Sequence, residues 1–262
     1  MFVDSHCHLS DPSLAGQIEQ ILQQMHNARV DRALCISTTL TDFSNVLALA
    51  CQHSELWASV GVHPEEHKCP QPSKAELVKC ALHDKVVAIG ETGLDYFQFS
   101  DCSYEQMQWQ RERFAVHIEA ARETGLPLVI HTRGAAHDTL AQIKAAVNAA
   151  GNITGVFHCF TESADVARQA LDLGFFISFS GILTFKNAGE LRDVARMVPR
   201  DACLIETDSP YLAPVPYRGK LNTPVYVPYV AQALANLWQM DVEDVAQYTS
   251  RNFDCLFSKA AG

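Results

Sequence analysis

Basic residues are scarce: 20 Lys and Arg stand against 30 Asp and Glu, a net charge of −10 over 262 residues. That deficit excludes an electrostatic coat for duplex nucleic acid and a polybasic membrane anchor, since both need clustered cations. No apolar run approaches the roughly 20 residues of a membrane span. Asp4 and His6 occupy the place where a signal peptide would carry a basic stretch and then an apolar one. The nine cysteines run from Cys7 to Cys255 without a C-x-x-C pair. An odd, scattered set in a chain with no secretory signal reads as reduced, mostly buried thiols. Charge blocks, repeats and Gly/Ser linkers are also missing, and the apolar share of 48% is ample for a core. These absences predict a cytoplasmic globular protein, one domain over 1–262, with no membrane association and no obligate protein partner.

What is present is an alternation. Short runs rich in Val, Ile, Leu and Phe occur at Phe2–His6, Ala33–Ser37, Trp57–Val62, Val86–Gly90, Leu128–His131, Gly155–His158, Phe175–Phe179 and Ala202–Glu206. Continuous apolar runs of that length suit strands covered on both faces. Helix punctuation lies between them. Ser73-Lys-Ala-Glu76 and Ser103-Tyr-Glu-Gln106 have the form of capping boxes, and Asp241-Val-Glu-Asp244 is a third start. Gly125 followed by Pro127 stops the segment that Ser103 opens. Eight strands alternating with helices predict an α/β fold, a (β/α)8 TIM barrel. A doubly wound open sheet would want a Gly-rich turn after its first strand. That strand instead ends in Asp4-Ser-His-Cys-His8. Five of the eleven prolines fall between Pro210 and Pro228, which reads as a stiff loop over the barrel mouth.

The chemistry-bearing residues fall at the C-terminal ends of these runs, where barrel sites are built. His6 and His8 sit two apart on the first, Glu91 follows the fourth, and His131 and His158 end the fifth and sixth. Asp208 follows the eighth. Four imidazoles and two carboxylates exceed what one catalytic zinc takes, so they point to two divalent ions, Zn, Mg or Mn. Glu91 is the expected bridge, with His6, His8 and Asp208 around one ion and His131 and His158 around the other. Asp208 is also placed to orient water or take its proton. His63, ending the third run in Gly61-Val-His-Pro64, faces the mouth as a substrate contact. Arg133, Arg218 and Lys220 are candidate phosphate contacts, and Tyr96, Phe97 and Phe99 could stack on bases. His26, His53, His83, His117 and His137 read as solvated or structural, without a functional role.

The strings Asp4-Ser-His-Cys-His-Leu9, Gly61-Val-His-Pro64, Ile89-Gly-Glu-Thr-Gly-Leu-Asp-Tyr96, Pro127-Leu-Val-Ile-His131, His158-Cys-Phe-Thr161 and Glu206-Thr-Asp-Ser-Pro-Tyr-Leu212 resemble the TatD-type metal-dependent deoxyribonucleases. The likeness runs from Phe2 to about Phe257. It implies a barrel with divalent metal at His6, His8, Glu91, His131, His158 and Asp208, and hydrolysis of phosphodiester bonds at DNA ends, single-stranded ends in the first instance. His63 matches a family position that stabilises substrate. The competing expectation is a hydrolase of a small phosphoester or another small molecule. A non-enzymatic binding barrel is the third reading, disfavoured by the complete ligand set.

Overall fold

A computed structural model describes residues 1–150 and 153–261. Eight parallel strands form one sheet in sequential order: β1 Phe2–Cys7, β2 Val30–Cys35, β3 Leu56–Val60, β4 Val86–Asp95, β5 Leu128–Arg133, β6 Gly155–Phe157, β7 Phe176–Phe179 and β8 Cys203–Ile205. The helices among the described residues are α1 Pro12–Ala15, α2 Ile18–Asn27, α3 Leu40–Gln52, α4 Lys74–Ala81, α5 Gln108–Thr124, α6 Ala136–Ala150, α7 Ala164–Asp172, α8 Gly189–Met197, α9 Val227–Trp238 and α10 Val242–Leu256. The expected (β/α)8 barrel is the observed fold. None of the described helices is long and apolar enough to cross a membrane.

The ring closes at its C-terminal end through the chain that carries the candidate ligands. Asp208 N donates to His6 O at 3.0 Å and His8 N to Ser209 O at 2.8 Å. Cys7 and Ser209 form a parallel bridge. The strands carry core at one end of the barrel and candidate ligands at the other. Val87, Val129, Val156 and Leu204 pack in one cluster with Phe253, Leu256 and Phe257. Glu91 and His131 lie further along β4 and β5, and His158 and Asp208 follow the last residues of β6 and β8.

Helix starts follow the sequence signals with one shift. Ser73 caps α4 and forms the full box with Glu76. At Ser103 the box bonds also form, Ser103 N to Gln106 Oε1 at 2.7 Å and Gln106 N to Ser103 Oγ at 3.3 Å. There they close a turn, and α5 starts only at Gln108, since Met107 N still bonds to Ser103 O and Tyr104 O. Gly125, at φ +71°, ends α5 as expected. β4 continues past Gly90 to Asp95, because after a register shift Thr92, Gly93, Leu94 and Asp95 pair with Ile130 to Arg133 of β5. Glu91 therefore sits inside a strand. The thiols are less buried than expected: Cys7, Cys35 and Cys203 are buried, while Cys51, Cys102 and Cys255 are exposed.

Two glycines make the β3–β4–β5 edge possible. A Cβ at Gly61 would collide with the backbone of Gly90 and Glu91, and one at Gly93 with the carbonyl of His131. Only a residue without a side chain lets these strands approach so closely. The Pro210–Pro228 segment is tied down as a mouth loop. Asn222 Nδ2 donates to Thr207 O and Tyr211 O at 2.9 and 2.5 Å, and Val215 N donates to Thr184 Oγ1 at 2.9 Å.

Candidate metal centre

All six expected ligands converge at the C-terminal mouth. His6 Nε2 lies 3.2 Å from His8 Nε2 and 3.6 Å from Asp208 Oδ1, and His8 Nε2 lies 3.4 Å from Asp208 Oδ1. Ligands about 2.0–2.1 Å from a tetrahedral ion stand about 3.3 Å apart. The three separations match the edges of that tetrahedron. Two imidazole nitrogens 3.2 Å apart are close enough to share one cation. The donor set of nitrogen and carboxylate oxygen suits a divalent ion.

Glu91 divides its two oxygens between two groups. Oε2 is 3.3 Å from His6 Nε2 and 3.9 Å from His8 Nε2. Oε1 is 3.2 Å from His131 Nδ1, 2.8 Å from His158 Nε2 and 3.0 Å from His63 Nε2. The residues cluster at ligand spacing as His6–His8–Asp208, His6–Glu91–His158 and His63–Glu91–His131. The first is the expected trio. His158 shares Glu91 Oε1 with His131 and also stacks 3.8 Å from His6, and His63 stands beside His131.

For three of the rings, the far side shows which nitrogen is free to bind. His131 Nε2 faces Asp95 Oδ2 at 2.9 Å, His158 Nδ1 faces Glu206 Oε1 at 3.2 Å, and His8 Nδ1 faces Ile36 O at 3.3 Å. These partners only accept, so the distal nitrogens keep their protons, and when the rings are neutral the lone pairs of Nδ1, Nε2 and Nε2 are the ones offered to an ion. His158 Nε2, buried, stands 2.8 Å from Glu91 Oε1. His63 is the opposite case. Its Nδ1 accepts from Glu65 N at 3.1 Å, so neutral His63 carries its proton on Nε2. In that tautomer Nε2 reaches the cavity as a hydrogen-bond donor.

Electrostatics follow from burial against mutual charge. Burial opposes ionisation of Glu91, yet His158, His63 and His6 hold it well below the usual carboxylate range. Burial likewise opposes Asp208, and His8 and His6 lower it. Burial and the charge of His158 push His6 down. Against burial, Asp95 and Glu91 push His131 up to about 9. Glu91 and Glu206 hold His158 well above its ordinary value in the same way.

His8, His63, Glu91, His131, His158 and Asp208 line a cavity of about 720 Å³ that also takes in Arg133, Thr161, Ile182 and Tyr211. Arg133 lies over the Phe97 ring at 4.0 Å. Arg218 and Lys220 are exposed and lie outside this lining, Arg218 over Phe185 at 4.0 Å and Lys220 5.8 Å from the Tyr217 ring. Four carboxylate side chains, Asp11, Asp42, Glu65 and Glu66, also line the cavity. Sequence reasoning missed Asp95, Glu206 and Asp4. Asp4 is buried and takes hydrogen bonds from Thr207 N and Thr207 Oγ1 at 2.9 and 2.5 Å. Each missed carboxyl lies two or four residues from a candidate ligand.

Comparison with known proteins now decides the family. The family described as TatD related DNase matches residues 3–258. The chain belongs to this family. The TatD-type chain is 43% identical over 258 residues to the protein from Escherichia coli (strain K12) named uncharacterized metal-dependent hydrolase YcfH, covering 97% of this chain and 95% of that one. It is 36% identical to the uncharacterized metal-dependent hydrolase YabD of Bacillus subtilis (strain 168), covering 98% and 99%. The crystal structure of the Escherichia coli TatD homologue YjjV superposes with a TM-score of 0.88 at 29% identity, covering 98% of each chain. The protein is a metal-dependent hydrolase with a TatD barrel.

Proposed function

We propose that the enzyme cleaves phosphodiester bonds at the ends of DNA, single-stranded DNA in the first instance, at a centre of two divalent ions. The observation that carries this reading is Glu91, whose two carboxylate oxygens face two separate groups of ligand atoms. His6, His8 and Asp208 would hold one ion, and His131 and His158 the other, with Glu91 between them. Two such ions, Zn, Mg or Mn, supply charge neutralisation at a phosphoryl centre and make water a better nucleophile. The chain's own groups do the remainder. Asp208 orients the attacking water and takes its proton. His63 donates a hydrogen bond from Nε2–H to a phosphoryl oxygen and keeps its proton. Arg133 grips the adjoining phosphate, with Arg218 and Lys220 available further out to a longer strand.

The rim supports an end over an interior position. A cavity of about 720 Å³ admits one nucleotide-sized group. Asp11, Asp42, Glu65 and Glu66 repel a polyanion that would continue past it. The family's own description names DNA. Free thiols at all nine cysteines suit work in a reducing cytoplasm.

The same shortage of basic groups favours a second reading, a small phosphoester as substrate. A time course on end-labelled single-stranded DNA with Mg²⁺ or Mn²⁺ separates the two, with Glu91→Ala excluding a contaminating nuclease. Progressive shortening by wild type alone, with a circular strand left intact, is the expected result. Folded, ion-loaded protein that shortens neither polarity of labelled strand yet hydrolyses nucleoside monophosphates overturns the DNA reading.

A further inference from the structure

One face of α5 is polar where a barrel helix should be apolar. Gln110, Arg113 and His117 follow at i, i+3 and i+7, the spacing of a single helix face, and all three are buried. They do not meet one another's side chains. They meet the backbone of the two segments that carry His63 and Asp95.

Gln110 uses its whole amide. Its Oε1 accepts from Asp95 N at 2.9 Å, while Nε2 donates to Asp95 O and to Pro64 O, both at 3.0 Å. One turn on, Arg113 Nη1 donates to His63 O at 2.9 Å and Nε to Gln71 Oε1 at 2.8 Å. One turn further, His117 Nε2 accepts from Val62 N at 3.0 Å, and its Nδ1 donates to Arg113 O at 2.8 Å. Burial pushes His117 down to about 4, so it stays neutral and keeps the acceptor that Val62 N needs. Val62, His63, Pro64 and Asp95 are thus held in register from outside the barrel, by a helix that contributes no ligand.

We propose that Gln110 is a positioning residue of the metal centre: by fixing the Asp95 backbone it sets the carboxylate that orients His131 toward Glu91. The chain of contacts is short. Gln110 holds Asp95 N and O, Asp95 Oδ2 accepts from His131 Nε2 at 2.9 Å, and His131 Nδ1 stands 3.2 Å from Glu91 Oε1. Groups behind a metal-bound imidazole commonly change ion affinity by about 10- to 100-fold when removed. Arg113 and His117 serve the neighbouring segment in the same manner and keep the His63 donor aimed into the cavity. His117, read from sequence as without function, belongs to this row.

The test is a Mn²⁺ titration of chelator-treated protein, following free Mn²⁺ by electron paramagnetic resonance, so that no substrate is involved. Gln110→Met, which keeps the volume and loses all three bonds, should weaken Mn²⁺ binding about 10-fold. Asp95→Ala should do the same, and the double variant should lose no more than Asp95→Ala alone, because the two act in series. Gln110→Asn is the gentler variant. Its amide is too short to reach Pro64 and Asp95 together, and it should weaken binding in the same direction. Phe253→Ala, far from the centre, controls for lost stability and should leave the titration unchanged. Wild-type Mn²⁺ affinity in either folded Gln110 variant overturns the proposal. So does an equal further loss when Gln110→Met is added to Asp95→Ala.

Discussion

Ion binding should release protons, because the centre of the ion-free protein is occupied by charge of its own. His131 illustrates the size of the effect. Burial disfavours its charged form, but Asp95 and Glu91 outweigh burial and push its pKa up to about 9. An ion requires the Nδ1 lone pair, so a proton must leave first. At pH 7, two units lower, the neutral form is about 1% of the whole, a penalty near 3 kcal/mol or about 100-fold in apparent affinity. The affinity for Mn²⁺ should rise about tenfold per pH unit between pH 7 and 9 for each such proton, then level off. His158, raised for the same reason by Glu91 and Glu206 against burial, steepens the slope. The ion-free protein should show the opposite trend. A histidine raised in the folded state stabilises fully below about pH 6.5, and that contribution is lost as pH rises through about 9. Calorimetric titration at pH 7.5 in two buffers of different ionisation enthalpy counts the protons directly. Asp95→Asn removes a neighbour that raises His131 and should lower the count. Binding without proton release at pH 7.5, or a count unchanged in Asp95→Asn, would refute this account of the electrostatics.

Three further outcomes follow from particular contacts. Arg133 lines the cavity and Arg218 does not. Arg133→Ala should therefore raise KM for a labelled oligonucleotide by about 10-fold or more, the worth of a charge-assisted hydrogen bond, whereas Arg218→Ala should stay within about twofold for short strands; equal effects would move the substrate path onto the Pro-rich loop. Phe253 is fully buried in the cluster with Val87, Val129 and Leu204, so Phe253→Ala should cost about 3–5 kcal/mol in denaturant unfolding, and a loss under about 1 kcal/mol would show that the far end of the barrel closes over the gap. Asp4 is pushed up to about 8, by burial above all and also by Glu206, despite its Thr207 hydrogen bonds. Its folded-state pKa is raised, so it costs stability progressively as pH climbs from about 4 to about 8. Asp4→Asn in chelator-treated protein should flatten the fall in melting temperature over that window, and an unchanged slope would show that Asp4 does not titrate there.

The cluster of candidate ligands was legible because a parallel barrel leaves a strong trace. Strands buried on both faces read as short apolar runs, and His6, His8, Glu91, His131, His158 and Asp208 interrupt or end them. Six hard-to-bury groups gathered at the same end of five runs are what a metal centre requires and what a packed core avoids. Boundaries were less legible. Nothing in Val86–Gly90 signals that β4 runs on through Asp95, since that extension depends on a register shift against β5 and on Gly93 meeting the His131 carbonyl. The role of His63 was legible only to the level of facing the mouth. Its tautomer is decided by Glu65 N, a turn contact with no periodic signature.

The α5 row was the hardest to read, and for a physical reason. Periodicity methods find a buried helix face by its apolar residues. Gln110, Arg113 and His117 have the spacing of a buried face with the composition of a surface one. A helix packed on the middle of a sheet meets side chains, because the sheet has already paired its own backbone. A helix packed where strands end meets unpaired amides and carbonyls instead, which must find partners when water is excluded. Here those groups are Val62 N, Pro64 O, Asp95 N and Asp95 O, while His63 O accepts from both Arg113 and Glu66 N. In a barrel the same strand ends carry the chemistry. A polar row at core spacing, on the helix that follows a ligand-bearing strand, is therefore a sequence signal for a helix that holds the active-site backbone. It is distinguished from a solvated face by the apolar Phe114, Ile118 and Ala121 interleaved with it, all buried on α5.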